Sequence, residues 1–164
     1  MNFRTAIITL SDKGSKGERE DESGKVIREM IASIGATAVH YEILPDDKQR
    51  IVDTLRKLAD SCIIDLIITT GGTGVAPRDV TPEATLMVID RELPGMAEAM
   101  RAESLKKTPH AMISRAVAGI RKQTLILNLP GSPKAVRENL AVILPALPHT
   151  IEKIKGDPSE CGSS

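Results

Sequence analysis

The stretch that decides the fold is "IIDLIITTGGTGVAPRDVTPEATL", Ile63 to Leu86. It opens on an almost unbroken apolar run, Ile63 to Thr70, rich in β-branched residues. Such a run reads as a strand covered on both faces, which is the pattern of a parallel sheet. Gly71, Gly72 and Gly74 follow at once, then Pro77, Arg78 and Asp79. Thr81-Pro82-Glu83 then reads as a helix start, with Thr81 as the cap, proline in the first position and an acid in the first turn.

The same grammar extends in both directions. Thr5 to Leu10 reads as a first strand. Ser11 to Ser23 is a charged, glycine-containing loop, read as a solvated loop or helix start. Val26, Ile27, Met30, Ile31 and Ile34 recur at helical spacing, and Gly35 closes that helix. Val39, Tyr41 and Ile43 alternate as a second strand. Pro45 ends it, and Asp46 or Asp47 can cap a helix whose stripe is Ile51, Leu55 and Leu58. Beyond the glycine loop, helical spacing runs through Leu86, Val88 and Ile89 until Pro94-Gly95. A helix follows from Met96 to Lys106. Met112 to Ile120 and Thr124 to Leu129 are expected to pair as a hairpin across Arg121-Lys122. Pro130-Gly131-Ser132 turns into a last helical region divided near Pro145 or Pro148.

Strands alternating with helices predict a three-layer α/β/α fold with a mostly parallel central sheet and a short hairpin excursion. Residues 1–155 are expected to form a single domain, and residues 156–164 a flexible tail. In such folds ligands bind beyond the C-terminal ends of the strands. Four loops fall there: Ser11-Asp12, Pro45-Asp46-Asp47, Gly71 to Asp79, and Pro130-Gly131-Ser132.

Composition narrows the function. Basic and acidic residues balance at 22 each, and the chain of 164 residues holds one Phe, one Tyr and no Trp. A nucleic-acid binder needs a basic excess or stacking aromatics, so none is expected. No run reaches the roughly 18 apolar residues of a membrane span. The segment MNFRTAIITLSDK has too short an apolar stretch for a signal peptide. The two cysteines, Cys62 and Cys161, suggest no disulfide framework. A cytoplasmic protein is therefore expected, with Cys62 buried beside its strand.

The glycine loop is not a Walker A motif, because no lysine follows Gly74, and it is not G-x-G-x-x-G. His40, His110 and His149 lie in unrelated contexts, so a histidine metal site or triad is not expected. Backbone chemistry and carboxylates remain. The glycines can turn successive N–H groups toward an anion. Arg78 can clamp a phosphate bidentately. Asp79 can hold Mg²⁺ through oxygen. A tight turn, with Asp79 capping the next helix, accounts for the same residues.

These residues also carry a resemblance. "TTGGTG" at Thr69 to Gly74, "RDVTPEAT" at Arg78 to Thr85, "ITLSD", "LPDD" at Leu44 to Asp47, "DRELPGMAEAMR" and "SRAVAGIRKQTLILNLPGSPKAV" occur in order over about Ala6 to Leu147. Together they resemble the molybdenum cofactor biosynthesis family, and "RDVTPEAT" and "IRKQTLILNLPG" look most like its adenylyltransferase branch. The resemblance implies transfer of AMP from Mg-ATP to the terminal phosphate of molybdopterin, with release of pyrophosphate. It implies that Asp46 and Asp79 are catalytic carboxylates, with Mg²⁺ as their metal. Molybdopterin and ATP contacts are expected at Ser11, Asp12, Gly71, Gly72, Thr73, Gly74, Arg78, Thr81 and Glu83. Ser114, Arg115, Pro130, Gly131 and Ser132 complete that set, although Ser132 also suits a helix cap. Asp12 or Glu83 can read the N–H edge of the pterin, and each also fits as a loop or helix-start acid. A homotrimer and hand-over of the product to a molybdate-inserting partner are implied as well. Two other readings remain open: a non-catalytic molybdopterin-binding or scaffold protein of the same fold, and a Mg²⁺-dependent nucleotide phosphohydrolase.

Overall fold

The structure is a computed structural model and describes residues 2–157. Cys161 and most of the expected tail lie outside the described residues. The strands are β1 (Phe3–Leu10), β2 (Ala36–Leu44), β3 (Leu66–Thr70), β4 (Arg91–Glu92), β5 (Ala118–Arg121) and β6 (Thr124–Leu129). The helices are α1 (Asp12–Ser15), α2 (Glu22–Ala32), α3 (Lys48–Asp60), α4 (Thr81–Val88), α5 (Pro94–Leu105), α6 (Pro133–Ile143) and α7 (Leu147–Ile154). The sheet order is β2-β1-β3-β6-β5-β4. β1, β2, β3 and β6 run parallel, whereas β5 pairs antiparallel with β6 and β4 antiparallel with β5 at that edge. This is the expected three-layer arrangement.

The apolar runs are explained by what covers them. Ile7, Leu66, Ile68, Leu125 and Leu127 face one way, against Ile27 and Ile31 of α2, Met100 of α5, Leu140 of α6 and Ile151 of α7. Ile8, Ile67 and Ile126 face the other way, against Ile51 and Leu55 of α3 and Val88 of α4. Neighbours in sequence therefore enter different cores, and polar residues of the central strands such as Thr69 and Asn128 are buried and hydrogen-bonded to each other.

Several boundaries differ from the sequence reading. β3 starts at Leu66, and Ile63 is exposed. Cys62 is an exposed thiol at φ 59°, not a buried one. Asp65 explains the late start. It is buried, accepts from the Arg4 N–H at 2.7 Å and pairs with the Lys155 Nζ at 2.6 Å. Burial pushes its carboxyl up, but Lys155 and Arg4 outweigh that and hold it below the usual range. The hairpin is real but shorter: Pro109–Ile113 forms a 3-10 helix, with Met112 exposed, and β5 begins only at Ala118. Pro94 opens α5 as well as ending the segment before it. Leu86 lies on the wet side of α4. Ser11 caps α1, a one-turn helix inside the charged loop, through a 3.0 Å bond from the Gly14 N–H.

Candidate active site

The four loops at the C-terminal strand ends are bonded to one another. The Ser11 N–H donates to the Leu44 carbonyl at 2.9 Å. The Asp12 N–H donates to Asp46 Oδ2 at 3.2 Å, and the Asp46 N–H returns a bond to Asp12 Oδ1 at 3.0 Å. The Gly71 N–H reaches the Leu129 carbonyl at 3.1 Å, and Thr70 Oγ1 the Pro130 carbonyl at 2.6 Å. They enclose a cleft of about 380 Å³ lined by Ser11, Asp46, Gly71, Gly72, Asp79, Gly131 and Ser132.

The glycines earn their places sterically. Gly71 has φ +98°, and a Cβ there would sit 2.4 Å from the Leu10 carbonyl oxygen. Gly72 has φ +68°, and its Cβ would meet Thr81 Oγ1 at 2.3 Å and Asp46 Oδ1 at 3.1 Å. A side chain at either position would be strained and would collide with a cleft wall. The idea of a continuous anion nest needs correcting, however. The Gly71 N–H is already spent on Leu129, and Thr73 and Gly74 border a second cavity of about 260 Å³ on the other side of the loop.

The acids separate by environment. Asp47 caps α3 through the Arg50 N–H at 2.9 Å, which leaves Asp46 to face the cleft. Burial and the nearby charges of Asp12 and Asp79 push the Asp46 carboxyl up. Its Oδ1 is buried with no hydrogen-bond partner among the described residues. Asp79 Oδ2 accepts from the Ala76 N–H at 2.9 Å. Asp79 does not cap α4, whose cap position is Val80 without a side-chain bond. Asp12 receives both Nε and Nη2 of Arg78, at 2.7 and 2.8 Å. That pair, then the Asp46 N–H, holds the Asp12 carboxyl below its ordinary value. Arg78 is therefore an anion clamp already engaged by an internal carboxylate.

Other expected contacts are turned elsewhere. Thr81 is fully buried and is not the helix cap; its Oγ1 donates to the Gly71 carbonyl at 2.9 Å. Glu83 is tied to Arg115 and does not line the cleft. Ser114 and Pro130 line the second cavity with Thr73 and Gly74. Ser132 caps α6 through the Ala135 N–H at 3.2 Å while also lining the cleft.

The sequence profile described as a probable molybdopterin binding domain matches residues 6–149. The chain belongs to this molybdenum cofactor biosynthesis family. It is 46% identical over 159 residues to a molybdopterin adenylyltransferase of Helicobacter pylori, covering 96% of this chain and 90% of that protein. It is also 46% identical over 140 residues to a molybdopterin adenylyltransferase of Escherichia coli, covering 84% of this chain and 72% of that protein. Among solved structures, the molybdopterin biosynthesis enzyme MoaB of Thermus thermophilus superposes with a TM-score of 0.89 at 52% identity, covering 96% and 99% of the two chains.

In this member of the family the cleft wall also includes residues that sequence reading passed over: Thr9, Arg19, Glu20, Asp21, Glu22 and Ser23. Asp21 caps α2 through the Gly24 N–H at 3.0 Å and accepts from Thr9 Oγ1 at 2.6 Å and from Tyr41. Ser23 Oγ donates to the Gly131 carbonyl at 2.7 Å. The signal was available, because this run joins the end of β1 to a helix start and so had to lie at the ligand-facing edge.

The residues also permit a test of the implied Mg²⁺. The lining acids outnumber Arg19, and Asp46 Oδ1 is a carboxyl oxygen with no hydrogen-bond partner among the described residues. Both features favour a cation. No group of three or more potential ligand side chains is gathered among the described residues. That suits Mg²⁺, which takes one or two carboxylates and completes its shell with phosphate oxygens and water.

Proposed function

We propose that the chain is a molybdopterin adenylyltransferase, moving AMP from Mg-ATP to the terminal phosphate of molybdopterin and releasing pyrophosphate. The observation that carries this reading is that Asp46 and Asp79 line one cleft together with Gly71 and Gly72. The names of the Helicobacter and Escherichia relatives support it.

The chemistry suits the residues. A phosphate monoester is mostly dianionic at neutral pH, its second pKa being near 6, so the nucleophile needs no strong base. Accordingly the cleft lining holds no histidine or cysteine among the described residues. The obstacle is an anion approaching an anionic phosphorus. Mg²⁺, held by Asp46 and Asp79, supplies neutralising charge when bound. The backbone at Gly72 allows close approach of phosphate oxygens, and Arg78 offers a guanidinium at the rim once it exchanges Asp12 for a phosphate. The acids of the α2 start and of Asp46 are acceptors for the N–H edge of a pterin. The cytoplasm as location and a molybdate-inserting partner as recipient of the product belong to the same reading.

The test is mass spectrometry of molybdopterin after incubation with Mg-ATP, together with pyrophosphate release. Asp79→Asn is expected to lower turnover by more than about tenfold while the fold persists, on the scale of losing one electrostatic group. Near-normal turnover in that variant would sink the assigned role. The family description, a probable molybdopterin binding domain, keeps a second reading, a molybdopterin-binding protein without transfer. Pterin binding in calorimetry with no pyrophosphate would favour it, and ATP hydrolysis without pterin would indicate a phosphohydrolase.

A further inference from the structure

Arg115 was expected to touch substrate, but its donors point into the protein. Its N–H donates to the Thr73 carbonyl at 2.8 Å. Its Nε donates to the Gly74 carbonyl at 2.7 Å and its Nη2 to the Asp79 carbonyl at 2.8 Å. Its Nη1 pairs with Glu83 Oε1 in the first turn of α4. One side chain thus grips both ends of the irregular loop from Gly74 to Asp79 and fastens them to a helix. At the near end, Gly74 packs on the Asp79 carboxylate so closely that a Cβ would stand 2.8 Å from Asp79 Oδ2.

We propose that Arg115 is a positioning residue, which sets the aim of the Asp79 carboxylate by holding the Gly74 and Asp79 carbonyls. The role rests on the adenylyl-transfer reading only for its kinetic consequence. The planar guanidinium presents its donors in a fixed fork, so it can satisfy two carbonyls and a carboxylate at once. A lysine ammonium is a single point of charge and cannot span them. Neither carbonyl is replaced by water without freeing the loop, and misplacement by about 1 Å costs on the order of 100-fold in rate.

The experiment compares Arg115→Lys and Glu83→Gln with the unaltered protein in two readouts. In steady-state kinetics, Arg115→Lys is expected to lower kcat on the order of 100-fold with the KM values for Mg-ATP and molybdopterin nearly unchanged. Glu83→Gln keeps both carbonyl bonds and is expected to lose much less. A raised KM with kcat intact would make Arg115 a substrate contact and overturn the proposal. In hydrogen exchange followed by mass spectrometry, amides of residues 73–79 are expected to exchange faster in Arg115→Lys, while the sheet amides stay protected. Unchanged exchange in that loop overturns the proposal whether or not the protein transfers AMP. If the unaltered protein transfers none, the exchange result alone decides, and the failure then belongs to the adenylyl-transfer reading. Should Arg115→Lys lose its sheet protection, Arg115 is a fold determinant and the proposal falls.

Discussion

Asp46 shows how a single residue can be placed against its own stability. It is half-buried, near Asp12 and Asp79, and burial and those charges raise its pKa. The folded protein therefore holds a proton on Asp46 more tightly than the unfolded chain does. The stability this contributes is complete below the ordinary value of 3.8 and is lost as pH rises through the folded pKa. At neutral pH the ionised carboxylate is a liability. Asp46→Asn is accordingly expected to raise the melting temperature at pH 7, by about 2–4 °C for each kcal/mol recovered, and to abolish turnover. The thermal gain is expected to shrink as pH falls through the raised folded pKa and to be gone below 3.8, and a gain that persisted unchanged in acid would exclude charge as its cause. At this scale much was legible. "LPDD" and "PRDVTPE" placed both acids beside the strand ends. The pairing of Arg78 with Asp12 was not, because the two lie far apart in sequence and nothing local signals their meeting.

Elements show the same contrast. The helix starts at Asp47 and Ser132 were readable because a cap bonds only to its own first turn. The hairpin was readable from its turn but not from its length. Lys122 adopts φ 51° in that turn, and the hairpin is tied to the end of α3. Asp60 accepts from Arg121 Nε and Nη2, both at 2.9 Å, and pairs with the Lys122 Nζ at 3.0 Å. Arg121 and Lys122 hold the Asp60 carboxyl down from 3.8 to about 2. A depressed pKa gives stability that is present above 3.8 and lost as pH falls toward about 2. Asp60→Asn is therefore expected to melt below the unaltered protein at pH 6, with the difference closing between about pH 4 and pH 2. Thermal melts across that range measure it, and a difference undiminished at pH 2 would rule out the ion pairs as its source.

At the scale of the whole molecule, Leu105, Met112 and Ile113 stand exposed near one another in sequence at the end of α5 and in the following 3-10 helix. Where such groups form one contiguous patch they mark an association surface. We propose that these three residues contribute to the contact of the homotrimer that the family resemblance implies. Light scattering is expected to report three times the chain mass, and Met112→Glu to shift that mass downward. A monomer in the unaltered protein would remove the trimer. By itself the sequence determined the class of fold, the order of its parts and the loops that line the cleft. Those follow from local rules: period of apolar residues, caps, glycine and proline. Only the tertiary structure decided which polar groups are free to act. It committed Thr81, Arg115 and one oxygen of Glu83 to holding the glycine loop, and it left Asp46 Oδ1 and Glu83 Oε2 without a hydrogen-bond partner among the described residues. The reason is physical: a hydrogen bond's availability depends on what lies within about 3 Å of it in space, and those neighbours come from distant parts of the chain.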